Sequence, residues 1–381
     1  MHNAEKSLGL YIHVPFCKAK CYYCDFNSYA GCENLIPAYF DSLKKEIVHY
    51  SSLIRGYTVK SIFVGGGTPS LVDPLYIAEV IDLCRQVFEV GNAAEITIEA
   101  NPGTIDLEKL TSYRGAGVNR LSIGLQAWQD RILKELGRIH TLEEFLGNFN
   151  QARKIGFKNV NIDLIFGIPS QEPGEWVQTL SNVINLGATH ISCYSLKIEE
   201  DTVFGRRARE GELVPVEDEK DREMYCMAVD KLVGANYRHY EISNFAMPGF
   251  ECRHNLLYWR ANQYIGVGAG AHSYFMERRF NNTYSLEDYI SSVSKGIIPL
   301  ENIQEIDRKS EISEYIILGL RLIEGISPHD FKSRFDEDIF DLYGEQFNKL
   351  QKRSLIEMNG DRIRLTALGL DLANQVFVEF I

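Results

Sequence analysis

Residues 11–26 read YIHVPFCKAKCYYCDF. Three cysteines, Cys17, Cys21 and Cys24, fall within eight residues at the spacing C-x3-C-x2-C. An aromatic, Phe26, stands where a fourth cysteine would extend the pattern. Structural zinc normally takes four protein ligands, and an iron–sulfur cubane normally takes four thiolates. Three thiolates on a cubane leave one iron open to a small molecule. A zinc site completed by Cys32 or His13, or three unligated thiols, are the other readings of the spacing. Phe16, Tyr22, Tyr23 and Phe26 supply apolar cover for a cluster.

The cysteines follow an apolar run over 8–15 that reads as a strand. Further strands are expected over 59–65, 94–100, 120–126, 159–166 and 190–197. Helices are expected between them, over 35–54, 74–89, 106–115, 141–155 and 173–186. Thr141 and Glu144 fit a capping box ahead of the apolar face Leu142, Phe145, Leu146, Phe149 and Ala152. Pro173 suits a first helical turn. Gly117, Gly156 and Gly187 suit the position just past a helix end. Six strand–helix units in a row predict a parallel sheet, either doubly wound or curved into a partial barrel. Unusual residues crowd the C-terminal strand ends: Gly65-Gly66-Gly67-Thr68, Glu99 with Asn101-Pro102, Gln126, Asp163 with Gly167, and Tyr194. Chemistry spread over so many strand ends fits a barrel rim better than a single crevice. The fold class read from this is α/β, a partial (β/α)6 barrel over 1–240.

Beyond residue 200 the pattern changes. Residues 200–216 read as a loop, 218–235 as a helix and RHYEISNF as a strand. A connecting region, 241–300, is rich in glycine and aromatics. From 301 to 381, three helices precede LIEMNGDRIRLT, whose Asn359-Gly360 is a hairpin signal. That order predicts a small winged-helix-like α+β domain. It carries 10 Lys+Arg against 16 Asp+Glu, and the whole chain has net charge −12, so nucleic acid is excluded as a partner. No run of 18 apolar residues predicts a membrane span. The N-terminal MHNAEKSLGLYIHV lacks a signal-peptide core, so the eight cysteines are read as metal or packing residues of a cytoplasmic protein. Cys84, Cys193 and Cys226 are expected in the core.

The motifs YIHVPFCKAKCYYC, FVGGGTPS, IEANP, RLSIGLQ, LGRIH, NIDLIFGIP, EISNFAMPG and HNLLYW occur in this order over nearly the whole chain. Together they resemble the radical S-adenosylmethionine (SAM) superfamily. The similar branch is that of oxygen-independent coproporphyrinogen III dehydrogenase and the HemW-type haem chaperones. The resemblance implies a 4Fe–4S cluster on Cys17, Cys21 and Cys24, with SAM chelating the open iron and yielding a 5′-deoxyadenosyl radical on reduction. It implies SAM contacts from Gly66, Gly67, Thr68, Glu99, Gln126, Arg138 and Asp163, with Tyr11 bordering the methionine end and Tyr23 the adenine. The plain alternatives are a tight turn for the glycines, a cap or ion pair for each carboxylate, and packing for the tyrosines.

Two departures from the dehydrogenase pattern are Phe26, where that branch has a cysteine, and a short segment before Tyr11. The chaperone branch carries H-N-x-x-Y-W, here His254 to Trp259. The resemblance implies haem as cargo, with His254 as axial ligand and Tyr258 and Trp259 against the macrocycle. Arg253 is a candidate partner for a propionate, and Cys252 a rival thiolate ligand. His272, in GVGAGAHSY, is a second histidine candidate. The plain reading is that His-Asn caps a turn and Tyr-Trp fills a seam between domains. The expected partners are acceptor haemoproteins, including respiratory proteins at the inner face of the membrane, and a second copy of the chain in a homodimer. The competing activities are anaerobic decarboxylation of coproporphyrinogen III and another radical SAM reaction such as methyl transfer.

Overall fold

The computed structural model describes residues 6–381; residues 1–5, where the N-terminal stretch begins, lie outside the described residues. Six parallel strands form its centre: β1 (Ser7–Val14), β2 (Thr58–Gly66), β3 (Glu89–Ala100), β4 (Arg120–Gln126), β5 (Asn159–Phe166) and β6 (His190–Ser195). Each is followed by a crossover that packs helices on the outer face. The main helices are α1 (Ile36–Leu53), α2 (Pro74–Val87), α3 (Leu107–Gly115), α4 (Leu142–Ile155) and α5 (Pro173–Asn185). These are the strands and helices the periodicity predicted, to within a few residues at most ends. The wide deviation is β3, which starts at Glu89 rather than 94.

Local chemistry sets the boundaries. Thr141 and Glu144 close a reciprocal capping box at the start of α4, and Gly156 ends it at φ +99°, a conformation that costs a side chain-free residue little. The outward faces of the strands are apolar and buried against the helices, as with Leu10, Ile12, Ile62, Ile98, Leu121, Ile123, Ile162 and Ile191. The inward faces are polar. Glu95, Thr97, Arg120, Ser122, Asn161, His190 and Ser192 are all buried on alternate positions, so the curved sheet encloses a polar lumen.

The sheet does not stop at the six strands. Beyond β6 lie β7 (Arg238–Glu241) and β8 (Asn244–Ala246), antiparallel. Beside β1 run β9 (Tyr264–Val267), β10 (His272–Phe275), β11 (Arg278–Asn282) and β12 (Leu300–Glu305). Much of the glycine- and aromatic-rich region is therefore sheet. Two further expectations are corrected. Val203–Arg209 is a short helix capped by Thr202 within the segment expected as a loop. Cys226 is exposed, whereas Cys84 and Cys193 are buried; no cysteine is in a disulfide.

From Arg308 three helices, Arg308–Gly319, Pro328–Phe335 and Ile339–Lys352, and the hairpin Ile356–Asn359/Arg362–Leu365 build a second core around Ile316, Phe331, Phe347 and Ile363. Gly325 enters it at φ +69°, and a Cβ there would sit 2.0 Å from the carbonyl oxygen of Ile363. Gly325→Ala is expected to lower stability by about 2 kcal/mol or more, read as a reduced urea midpoint.

Candidate functional site

The cysteine loop leaves β1 and is closed where Phe16–Cys17 pairs with Tyr29–Ala30. Buried His13 holds it from below: its Nε2 bonds the Asn27 carbonyl at 2.8 Å and its Nδ1 bonds the Tyr11 hydroxyl at 3.0 Å. Both ring nitrogens are thus engaged. Burial pushes the imidazole down to about 4, so it stays neutral. The Asn27 amide donates to the carbonyls of Ala269 and Tyr284, and the Tyr29 hydroxyl donates to Tyr284 as well.

Cys17 is buried, and Cys21 and Cys24 are half-buried. Burial raises the Cys24 thiol, and the neighbouring Cys21 and Cys17 thiols push it the same way, so the three sulfurs lie within electrostatic reach of one another. Among the described residues no three His, Cys, Asp or Glu side chains converge on one ion. A cubane binds each thiolate at a different corner and needs no common point. The donors present fit such a cluster with one corner free.

The β2 strand ends in Gly65-Gly66, and Gly67 follows it directly over this loop. Gly66 sits at φ +120°, where an added Cβ would come 2.5 Å from His13 Cε1. A Cβ on Gly67 would stand 2.9 Å from the Phe16 carbonyl oxygen and 3.0 Å from Cys17 Sγ. Buried Thr68 lies 3.5 Å from Cys17 Sγ and accepts from Asn101. The Gly66 amide donates to Glu99 at 3.0 Å. Burial first, and then nearby Asp163, raise the Glu99 carboxyl to about 7. Asp163 accepts from Ser122 and Asn161 at 2.9 and 2.8 Å. Tyr11 faces the same space, its hydroxyl pKa raised by burial and then by Glu99. Gln126, at the end of β4, is buried in left-handed backbone, φ +70°. Tyr11, Gly66, Gly67, Thr68, Glu99, Gln126 and Asp163 therefore meet on one rim beside the cysteines.

Arg138 spans the same rim. Its guanidinium donates to Asn101 Oδ1 and the Gly124 carbonyl at 2.8 Å each, and to Cys21 Sγ at 3.5 Å. Tyr23 lies against it. This cation ties three rim loops together and sets positive charge beside Cys21. Residues not foreseen include Ser122, Asn161 and Arg120. The available signal was their alternation with apolar residues in RLSIG and NIDLI.

The HNLLYW motif forms a short helix, Arg253–Trp259, across the lower end of the lumen. His254 is 1% exposed. Its Nδ1 bonds Ser61 and its Nε2 bonds Tyr258, both at 2.8 Å, while its amide donates to Glu95. The ring packs 5.2 Å from Phe63, and burial pushes it down to about 3. In this conformation His254 is buried with both ring nitrogens bonded. Trp259 lies under the Arg321 guanidinium at 4.6 Å, in the seam with the C-terminal helices. Arg253 is committed to the Ala93 carbonyl. Cys252 is buried against Glu95, and burial pushes its thiol up to about 12, which disfavours a thiolate ligand. His272 is the exposed histidine of the rim.

A curved β/α sheet that carries three cysteines on its first loop and a glycine turn above them is the frame of a radical SAM protein. Residues 11–183 match the family model of the radical SAM superfamily, and 306–372 match that of the HemN C-terminal domain. The chain belongs to that superfamily and, within it, to the HemW family. It is 35% identical to the haem chaperone HemW of Bacillus subtilis (strain 168), over 97% of this chain and 98% of that one. It is 40% identical to haem chaperone HemW of Escherichia coli (strain K12), over 85% of each. Among solved structures it resembles coproporphyrinogen III oxidase (HemN) from Escherichia coli, a radical SAM enzyme. The TM-score is 0.86 at 26% identity, covering 99% of this chain and 90% of that one. No helix among the described residues is long and apolar enough to cross a membrane.

Proposed function

We propose that this chain is a haem chaperone: it binds haem beside a 4Fe–4S cluster and SAM, and delivers the haem to acceptor haemoproteins. The observation that carries this is identity to haem chaperones over nearly the full length of both chains. Cys17, Cys21 and Cys24 would hold the cluster, and Arg138 would offset thiolate charge at Cys21. Gly66 and Gly67 leave room for backbone approach to SAM. Glu99 and Asp163 would accept from its amino and hydroxyl groups, Gln126 and Thr68 would bound the ribose and methionine ends, and Tyr11 and Tyr23 would flank it. When bound, cluster and SAM supply one-electron cleavage of a carbon–sulfur bond. The acceptors fit a cytoplasmic protein that meets respiratory enzymes at the inner membrane face.

Anaerobically reconstituted protein is expected to bind haem saturably near one per chain, with a defined Soret band, and to pass it to an apo-haemoprotein. A linear, unsaturated titration would reject the reading. The second reading, coproporphyrinogen decarboxylation, is favoured by the likeness to HemN. Against it stands Phe26, 64% exposed where that branch has a cysteine. Absence of protoporphyrinogen product from the reduced, SAM-supplied protein is the expected result.

Glu99 gives SAM binding a pH signature. Its carboxylate form accepts from SAM, and its folded value is about 7. Affinity is therefore expected to rise with pH, by up to about tenfold per unit below 7, and to level off above. Glu99→Gln is expected to bind more weakly and with a flat profile, read by calorimetry. For stability the sign is opposite. Between 4.5 and about 7 the folded state holds the extra proton, so this group's contribution falls as pH rises through that window.

A further inference from the structure

We propose that the seam between the barrel and the C-terminal domain is a docking pocket for the C-terminal end of a partner polypeptide, with Arg321 taking its terminal carboxylate. The site goes beyond the haem-carrying reading and does not depend on it.

Four observations lead to it. First, the seam holds a cation with nothing to bond. The Arg321 guanidinium lies 4.6 Å from the centre of the Trp259 ring. Stacking of this kind uses the flat face of the group and leaves its N–H edge free. Arg321 Nε is buried without a partner, and the side chain makes no ion pair or hydrogen bond among the described residues. The Trp259 Nε1–H beneath it is buried and unpartnered as well. Buried donors are nearly always paired, so two orphans in one seam mark a place for an acceptor.

Second, there is room for one. A cavity of about 360 Å³ opens beside Arg321, walled by Ile242 of the barrel and by Leu370, Asp371, Leu372 and Phe377 of the C-terminal domain. Ligand pockets run from about 300 to 1,000 Å³, so this one suits the end of a chain rather than a folded surface. The chain bends at Leu372, between Ala367–Asp371 and Ala373–Phe377, and both arms line the space. Asn374 and Gln375 add side-chain amides to the wall. These suit the last peptide group of a chain, and a bare hydrocarbon tail would leave them unanswered.

Third, the charge is right. The one carboxylate of the wall, Asp371, is already paired with Arg222, at 2.7 Å from Nε and 2.6 Å from a terminal nitrogen. Glu241 also feels the Arg321 charge, but its oxygens accept from the Asn244 side chain and the Ser243 amide, and burial raises its carboxyl toward the neutral form. The pocket therefore presents one uncompensated guanidinium, whose fork matches a carboxylate.

Fourth, the cation is held in place before anything binds. The Arg321 carbonyl accepts from the Ile242 amide at 3.2 Å, and the Ile323 amide donates to the Tyr240 carbonyl at 3.1 Å. Glu241 and Leu322 form a β-bridge between these bonds. The backbone that carries Arg321 is thus stitched to the last strands of the barrel, which lowers the cost of ordering it on binding.

The test is calorimetry on the full chain with three probes: acetyl-Ala-Leu-Leu with a free carboxylate, the same peptide ending in an amide, and decanoate. The free acid is expected to bind saturably, and the amide with a dissociation constant about tenfold or more higher. Arg321→Gln is expected to weaken the acid to the level of the amide and to leave the amide unchanged. Arg321→Lys, which keeps the charge and loses the fork, is expected to fall between. Acid and amide binding alike to wild type overturns the proposal however the variants fold, and so does the absence of saturable binding. Acid binding that survives in folded Arg321→Gln places the site elsewhere and overturns it too. Decanoate binding more tightly than the acid peptide assigns the pocket to a lipid carboxylate and overturns the polypeptide partner. None of these outcomes bears on haem carriage.

Discussion

Alanine at Cys17, Cys21 or Cys24 is expected to leave less than about a tenth of the wild-type iron and sulfide after anaerobic reconstitution, since two thiolates cannot hold a cubane that already lacks a fourth. Alanine at Gly67 is expected to come close to the same loss, although it removes no ligand. Its Cβ would meet the Phe16 carbonyl oxygen and the Pro15 carbonyl carbon at 2.9 Å and Cys17 Sγ at 3.0 Å. Two of those three atoms are backbone, so no rotamer change relieves the contact. The loop must lift, and Cys17 lifts with it. Alanine at Cys32 is the control. Its sulfur is half-buried and bonds only the nearby Ala30 carbonyl, so iron content should stay at the wild-type level. Full iron content in Gly67→Ala would show that the glycine turn does not bear on the cluster loop, and iron loss in Cys32→Ala would reopen the four-ligand reading. Iron and sulfide assays with the visible charge-transfer band measure both.

The barrel was legible because its outer faces obey simple periodicities. Apolar runs bounded by Gly117, Gly156 and Gly187 could be nothing but buried parallel strands and the helices over them. The rim residues were legible for a different reason: Gly66, Glu99, Gln126 and Asp163 break those runs at strand ends. Burial inside the lumen was not legible. His254 sits on a helix of seven residues, too short for a period, and a histidine reads the same whether it faces iron or Ser61. Arg138 reads as a ligand for any anion, and only the fold shows its donors divided among Asn101, Gly124 and Cys21. Strands β9 to β12 were hidden by glycine and by short length. Their pairing partners are set by the sheet edge beside β1, which no local pattern encodes.

Glu46 carries the second large effect, and its signal was present in the sequence. On α1, Tyr39, Leu43 and Tyr50 form an apolar stripe, and Glu46 lies within it at helical spacing. The carboxylate is fully buried. It accepts from the Gly268 amide at 2.9 Å, from the Asn282 amide group at 2.7 Å and from the Tyr289 hydroxyl. Those donors come from the turn after β9, from the end of β11 and from the helix Leu286–Ser294. One side chain therefore anchors the outer strands to the barrel helices, and Tyr39 helps by bonding the Ala269 amide and the His13 carbonyl. Glu46→Ala would strand three buried donors at once. Each unsatisfied buried group costs about 1–3 kcal/mol, and because the three share one acceptor their losses do not simply add. A total near 4 kcal/mol is expected, read as a lowered denaturant midpoint with the slope unchanged. Glu46→Gln keeps the shape and one acceptor oxygen, so it should cost about half as much. Unchanged stability in Glu46→Ala would mean that these donors find water or other partners, and that the outer strands are held by apolar packing alone.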